Sequence, residues 1–128
     1  MLFGKKIKKV LIIDDDRSLL RQISFRLKKH EGFDTVVAED GQSGLLAAAN
    51  QHLDLIILDW TLPDISGIDV LATLKTREKT KNTPIMMLTG HNKIGEIDDA
   101  FALGADAYVI KPCSLQKLGE KSRLLTQS

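Results

Sequence analysis

A chain of 128 residues, 43% hydrophobic and 27% charged, is long enough to bury a real core and too apolar to be disordered. Eighteen Lys and Arg against seventeen Asp and Glu leave a net charge of +1, which excludes the broad basic footprint of a nucleic-acid binder. A single cysteine, Cys113, rules out an intrachain disulfide, and no apolar run approaches the roughly 20 residues of a membrane span, so the composition points to a reducing, cytoplasmic setting.

The start is basic, and Lys5, Lys6, Lys8 and Lys9 read as a solvated lead-in. The apolar run behind them, residues 10–13, is too short for a secretion signal and ends in Asp14, Asp15 and Asp16. That run predicts a first strand. Leu19, Ile23 and Leu27, with Leu20 on the same face, predict a helix capped by Asp16 and ended by Gly32. Residues 35–38 form a shorter, half-polar strand. Asp40 then caps a helix through Leu45, Leu46 and Ala47 to Ala49.

Residues 55–58 are apolar without a break, the pattern of a strand buried on both faces, and they run straight into Asp59. Pro63 and Gly67 punctuate the loop that follows. Ser66 and Asp69 have capping-box spacing ahead of a third helical face, Ile68, Leu71 and Leu74. The polar stretch 75–83 reads as a loop and 84–88 as a strand ending in Thr89-Gly90. Ile94, Ile97 and Phe101 mark a fourth helix with Gly104 as its C-cap. A fifth strand, 107–110, ends in Lys111-Pro112. Ser114 opens a last helix that turns Leu115, Leu118 and Leu125 inward and is weakened by Gly119.

Regular alternation of strand and helix, with no internal linker, predicts an α/β fold: a single doubly wound (βα)5 parallel sheet in the flavodoxin-like order 2-1-3-4-5. The switch point of that order lies between strands one and three, where ligands bind. It would gather Asp14, Asp15 and Asp59 around one crevice. Three close carboxylates repel unless a cation neutralises them, and a hard divalent ion such as Mg²⁺, completed by phosphate oxygens, suits that donor set. Thr89 and Lys111 arrive from the neighbouring strands with a hydroxyl and an ammonium. Together these groups make a phosphoryl-binding constellation.

The constellation resembles the receiver domain of bacterial two-component response regulators, over the whole chain with a core of about 9–125. The motifs are the Asp14-Asp15 pair, the Leu-Asp-x-x-Leu-Pro-x-x-x-Gly run around Asp59, Leu88-Thr89-Gly90, and Lys111-Pro112. The resemblance implies that Asp59 accepts a phosphoryl group from a sensor histidine kinase or phosphotransfer protein. It also implies that Mg²⁺ (or Mn²⁺) is bound by Asp15 directly, by Asp14 largely through water, by Asp59, and by the backbone carbonyl of Thr61. Thr89 and Lys111 would hold the phosphoryl group, Gly90 would leave it room, and Tyr108 would be the switch aromatic. Thr61 and His91 occupy positions that tune how fast water reaches the acyl phosphate. A cis Lys111–Pro112 bond follows from the same pattern.

The output would be a surface, about 94–125, that controls a downstream protein target or a separate output domain. No direct nucleic-acid or membrane contact is implied, and a phosphorylation-dependent homodimer is left open. Such a protein is not an enzyme beyond catalysing its own phosphorylation and dephosphorylation. Two departures stand out: Trp60, where the family has a smaller aliphatic residue, could shield the phosphoryl group or dock a partner; Cys113, where Phe is common, could loosen the last helix. Asp16, His30 and His52 read as a cap and surface residues, and Met86 and Met87 as strand core.

Two other readings compete. Residues 14–18 with Leu88-Thr89 loosely fit a haloacid-dehalogenase-like phosphatase in which Asp14 is the nucleophile and Asp16 the acid. Against it stand the lack of a late acidic pair, the short chain and an unexplained Asp59. The other is a receiver-like binding module that never switches. The chain is read either as a stand-alone receiver or as part of a larger regulator or hybrid kinase.

Overall fold

In the computed structural model, which describes residues 6–127, five strands and five helices alternate along the chain. They are β1 (Lys9–Ile13), α1 (Arg17–Glu31), β2 (Asp34–Ala38), α2 (Gly41–Asn50), β3 (Leu55–Leu58), α3 (Gly67–Thr76), β4 (Ile85–Thr89), α4 (Ile94–Ala102), β5 (Ala107–Ile110) and α5 (Leu115–Thr126). All strands are parallel, in the order β2-β1-β3-β4-β5. Parallel neighbours require crossovers, and here each crossover is one helix.

Alternation along the strands divides the interior into two layers. Leu11, Ile13, Ile56, Leu58, Ile85 and Met87 meet Ala48 of α2, Val70, Leu71 and Leu74 of α3, and Ala100 of α4. Val10, Ile12, Leu55, Ile57, Met86 and Leu88 meet Leu20, Ile23 and Leu27 of α1 and Leu118 of α5. Coverage on both faces is why residues 10–13, 55–58 and 85–88 are unbroken apolar runs, while β2, at the edge of the sheet, is half-polar. The caps are local chemistry. Asp16, Asp40 and Ser114 accept the backbone N–H of Leu19, Ser43 and Lys117 at 3.1, 2.7 and 3.1 Å. Gly32, at φ 76°, ends α1 in the left-handed conformation.

Several details differ from the sequence reading. Lys75 belongs to α3, and the turns after that helix are not simply a polar loop: Thr80 is buried and its hydroxyl donates to the Leu74 carbonyl at 2.6 Å, closing the helix. Ser66 accepts the Ile68 N–H at 3.4 Å, while the Asp69 N–H bonds the Ser66 carbonyl; no reciprocal carboxylate bond from Asp69 forms among the described residues, because its chain is one atom shorter than Glu. In α4, Ile94 is 77% and Phe101 46% exposed, and Ala100 is the buried residue. Beside the edge strand β5 the sheet leaves α4 little surface to cover, and a small side chain permits the closest approach.

Gly119 does not interrupt α5. It is buried, and a Cβ there would lie 2.4 Å from the Glu31 carboxylate, which Arg26 and Arg123 bind. Lys8 and Lys9 are tied down rather than solvated: Lys8 Nζ donates to the Thr126 carbonyl, and Lys9 Nζ to Gln51 at 3.3 Å. Lys5 lies outside the described residues. Among the described residues no helix is long and apolar enough to cross a membrane.

Candidate functional site

Strand register assembles the site. Ile13 pairs with Leu58, and the ladder runs one step further, with the Asp59 N–H on the Ile13 carbonyl at 3.0 Å. Asp14 and Asp59 therefore emerge side by side. On the next pair Thr89 stands opposite Ile110, so Lys111 leaves β5 level with the end of β4; its N–H donates to the Thr89 carbonyl at 2.9 Å. The Lys111–Pro112 peptide is cis.

One oxygen each from Asp14, Asp15 and Asp59 lies within 4.8 Å of the others. Asp14 and Asp59 are 2% and 7% exposed, whereas Asp15 is open to solvent. Lys111 Nζ bridges the buried pair, 2.7 Å from Asp14 and 2.9 Å from Asp59. The second oxygen of each is held by backbone: Asp14 by the Asp16 N–H at 3.0 Å, Asp59 by the Trp60 N–H at 2.7 Å. Burial pushes the Asp14 carboxyl above the ordinary carboxylate value, and the bonds from Lys111 and Asp16 only partly offset it. For Lys111, burial pulls the ammonium down, but its bonds to Asp14 and Asp59 outweigh that and leave it raised. One ammonium against three carboxylates leaves the cleft short of positive charge. Oxygen donors alone, one of them solvent-facing, fit a hard divalent cation.

A second cluster lies at the rim, between the loop after β3 and the loop after β4. The Trp60 and His91 rings stack, with centroids 4.8 Å apart and planes within 9°. His91 Nδ1 meets Glu96 Oε2 at 2.7 Å, and Nε2 meets the Thr61 hydroxyl at 2.9 Å. The Tyr108 hydroxyl donates to the His91 carbonyl at 2.8 Å. The bond from His91 holds the Glu96 carboxyl below its ordinary value; burial, then the charges of Glu96 and Asp59, raise the Tyr108 phenol. Thr89 is buried, and its Oγ1 accepts the His91 N–H at 3.3 Å. Space beside Gly90 is open: a Cβ there would meet nothing within 4 Å. Cys113 borders a cavity of about 370 Å³ with Leu19, Ile23, Leu88, Leu115 and Leu118, between the starts of α1 and α5.

Sequence reasoning missed two carboxylates. Glu96 is one, since its contact with His91, five residues earlier, depends on how the loop before α4 is folded. Asp64 is the other: it accepts the N–H groups of Gly41 and Gln42, each at 2.8 Å, so the loop after β3 caps α2. The only local sign was an acidic residue in a first helical turn for Glu96, which is ordinary.

The profile of the response regulator receiver domain matches residues 10–123. The chain belongs to that family. This receiver domain is 36% identical to the chemotaxis protein CheY of Pseudomonas aeruginosa over 114 residues, 88% of this chain and 91% of that one. It is 43% identical over 104 residues to the cell cycle transcriptional regulator CtrA of Caulobacter vibrioides, covering 81% of this chain but 44% of the regulator. The chain thus spans nearly all of the first relative and under half of the second. Among solved structures, the chemotaxis response regulator CheY4 of Vibrio cholerae superposes with a TM-score of 0.88 at 28% identity, covering 94% of this chain and 99% of that one. Receiver domains are signalling domains of two-component systems; they interact with histidine kinases and phosphotransfer proteins and bind Mg²⁺ in their acidic site. Nothing favours the dehalogenase-like reading.

Proposed function

We propose that Asp59 is the phosphoryl acceptor of this receiver domain and that the donor is a phosphohistidine. The observation that carries this reading is the buried Asp14–Lys111–Asp59 bridge with Asp15 beside it. A carboxylate oxygen of Asp59 forms the bond to phosphorus, the bond to the donor's imidazole nitrogen breaks, and its electron pair returns to that nitrogen. Lys111, already on Asp59, pairs with the arriving phosphoryl oxygens. Thr89 accepts from His91, so its own O–H is free to donate to the phosphoryl group. Mg²⁺ or Mn²⁺, held by Asp14, Asp15, Asp59 and the Thr61 carbonyl, would supply the positive charge that three carboxylates and a phosphoryl group require. Loss of the phosphoryl group to water returns the domain to its starting state.

The output surface is the face of α4, β5 and α5, where Ile94, Phe101, Leu103 and Ile110 are exposed. Phosphorylation biases it through Thr89 and through Tyr108, whose hydroxyl already reaches the β4–α4 loop. The test is a phosphate-affinity gel of wild type, Asp59→Asn and Asp14→Asn after acetyl phosphate, with and without Mg²⁺. A shifted band that needs Mg²⁺ and vanishes in Asp59→Asn is expected. A band that survives Asp59→Asn refutes the assignment, and one lost only in Asp14→Asn moves the chemistry to Asp14. Unchanged chemical shifts on the output face after phosphorylation would make this a non-switching module.

A further inference from the structure

Trp60, His91 and Glu96 are more tightly arranged than the phosphoryl chemistry requires. Glu96 stands in the first turn of α4 and His91 in the loop before it, while Trp60 and Thr61 belong to the loop after β3. The stack and the Thr61–His91 bond therefore join the loop after β3, at residues one and two past Asp59, to the loop after β4. Nδ1 pairs with the Glu96 carboxylate and Nε2 with the Thr61 hydroxyl, so the ring is fixed at both nitrogens. The Tyr108 hydroxyl holds the His91 main chain separately, so the loop backbone does not depend on Glu96.

Resting on the assignment of Asp59 as acceptor, we infer that this assembly is a latch that shields the acyl phosphate from water, and that Glu96 is its positioning residue. Hydrolysis needs water in line with the bond being broken. The water oxygen forms a bond to phosphorus, the bond from phosphorus to the Asp59 oxygen breaks, the electron pair returns to the carboxylate, and both water protons leave on inorganic phosphate. The His91 N–H bonds Thr89 Oγ1 at 3.3 Å, so the stacked imidazole belongs to the loop beside the hydroxyl that would hold the phosphoryl group. With His91 flat on Trp60 and bonded to Thr61, the latch would set the imidazole and indole in the way of that water. Glu96 touches neither phosphorus nor metal; it acts by keeping His91 there. The resemblance already assigns lifetime tuning to Thr61 and His91. What is new is the role of Glu96, the shielding role of Trp60, and the direction of the effect.

The experiment loads wild type, Glu96→Ala, Glu96→Gln, Trp60→Leu and the control Glu78→Ala with acetyl phosphate and Mg²⁺. The acetyl phosphate is then removed, and decay of the phosphorylated band is followed. Loss of one charge-assisted hydrogen bond frees the ring, so Glu96→Ala is expected to shorten the half-life about three- to tenfold. Trp60→Leu should shorten it too. Gln keeps an acceptor for the Nδ1–H, so Glu96→Gln should stay within about twofold of wild type. Glu78, exposed on another surface, should have no effect. Trp60 is the chain's one tryptophan, so its fluorescence reports the stack directly and should change in unphosphorylated Glu96→Ala but not in Glu96→Gln. An unchanged or longer half-life in Glu96→Ala overturns the latch and leaves the acceptor assignment intact. Equal shortening in Ala and Gln variants overturns Glu96 as a hydrogen-bonding positioner. No phosphorylated band in wild type overturns the acceptor assignment and the latch with it.

Discussion

Gly67 opens α3, and replacing it with Ala sets two effects of opposite sign against each other. In a helix, Gly to Ala ordinarily stabilises by about 0.5–1 kcal/mol, because the unfolded chain has less freedom to lose. Here a Cβ would lie 1.9 Å from the Asp59 carbonyl oxygen and 2.8 Å from both the Asp59 carbonyl carbon and the Trp60 Cα. All three are backbone atoms, and unstrained carbon contacts are about 3.5–4 Å, so the main chain has to retreat by more than an ångström. The retreat also strains the bond from the Gly67 N–H to the Trp60 carbonyl, 2.6 Å long. Overpacking costs about 1–3 kcal/mol and a lost hydrogen bond about 1 kcal/mol. Net destabilisation is therefore about 2 kcal/mol, or roughly 8 °C in melting temperature for a chain of this size. Urea titration followed by far-UV circular dichroism reads the stability, and the control is Gly95→Ala in α4, where a Cβ meets nothing within 4 Å. That control should gain about 0.5–1 kcal/mol. Because the atoms displaced carry Asp59, Gly67→Ala should also weaken stabilisation by Mg²⁺. If Gly67→Ala is as stable as wild type, the close approach is not a constraint and the reasoning fails.

Asp15 is exposed and its carboxylate makes no hydrogen bond among the described residues, so Asp15→Asn should change metal-free stability by less than about 0.5 kcal/mol. Wild type should gain about 2.7 kcal/mol at a Mg²⁺ concentration of about a hundred times Kd, and Asp15→Asn much less, in paired thermal melts. Lys111 is raised above its ordinary 10.5, so the stability it contributes is complete below that pH and lost as pH rises through the folded value. Lys111→Met should accordingly be less stable than wild type at neutral pH, with the two curves converging in strong alkali; parallel curves would refute the bridge. Glu31, its side chain wholly buried between Arg26 and Arg123, should cost about 2 kcal/mol on change to Ala, since both arginines can turn to water. A loss under 0.5 kcal/mol in a urea titration would refute that pairing.

Much of this protein was legible in its residue order because the relevant physics is local. Apolar runs at 10–13, 55–58 and 85–88 are strands covered on both faces, and Asp16, Asp40, Gly32 and Ser114 are helix ends because capping needs only a side chain and the next turn. Chemistry at strand ends was equally readable. Once the strands are parallel, Asp14, Asp59, Thr89 and Lys111 must share an edge. The misreadings came where distant surfaces meet. The apolar spacing of Ile94 and Phe101 could not reveal that α4 leaves them in solvent. Gly119 looked like a weak point until Glu31, far away in sequence, proved to fill the space a side chain would take. Glu96, too, carried no distinguishing mark. Its bond to His91 depends on how the loop before α4 is folded, and the stack of His91 on Trp60 exists only because that loop lies beside the loop after β3. Composition, periodicity and spacing determine the elements and the set of reactive groups. Packing alone decides which face of a marginal helix is buried and which side chains meet across loops, because those contacts depend on the relative placement of elements and not on any one of them.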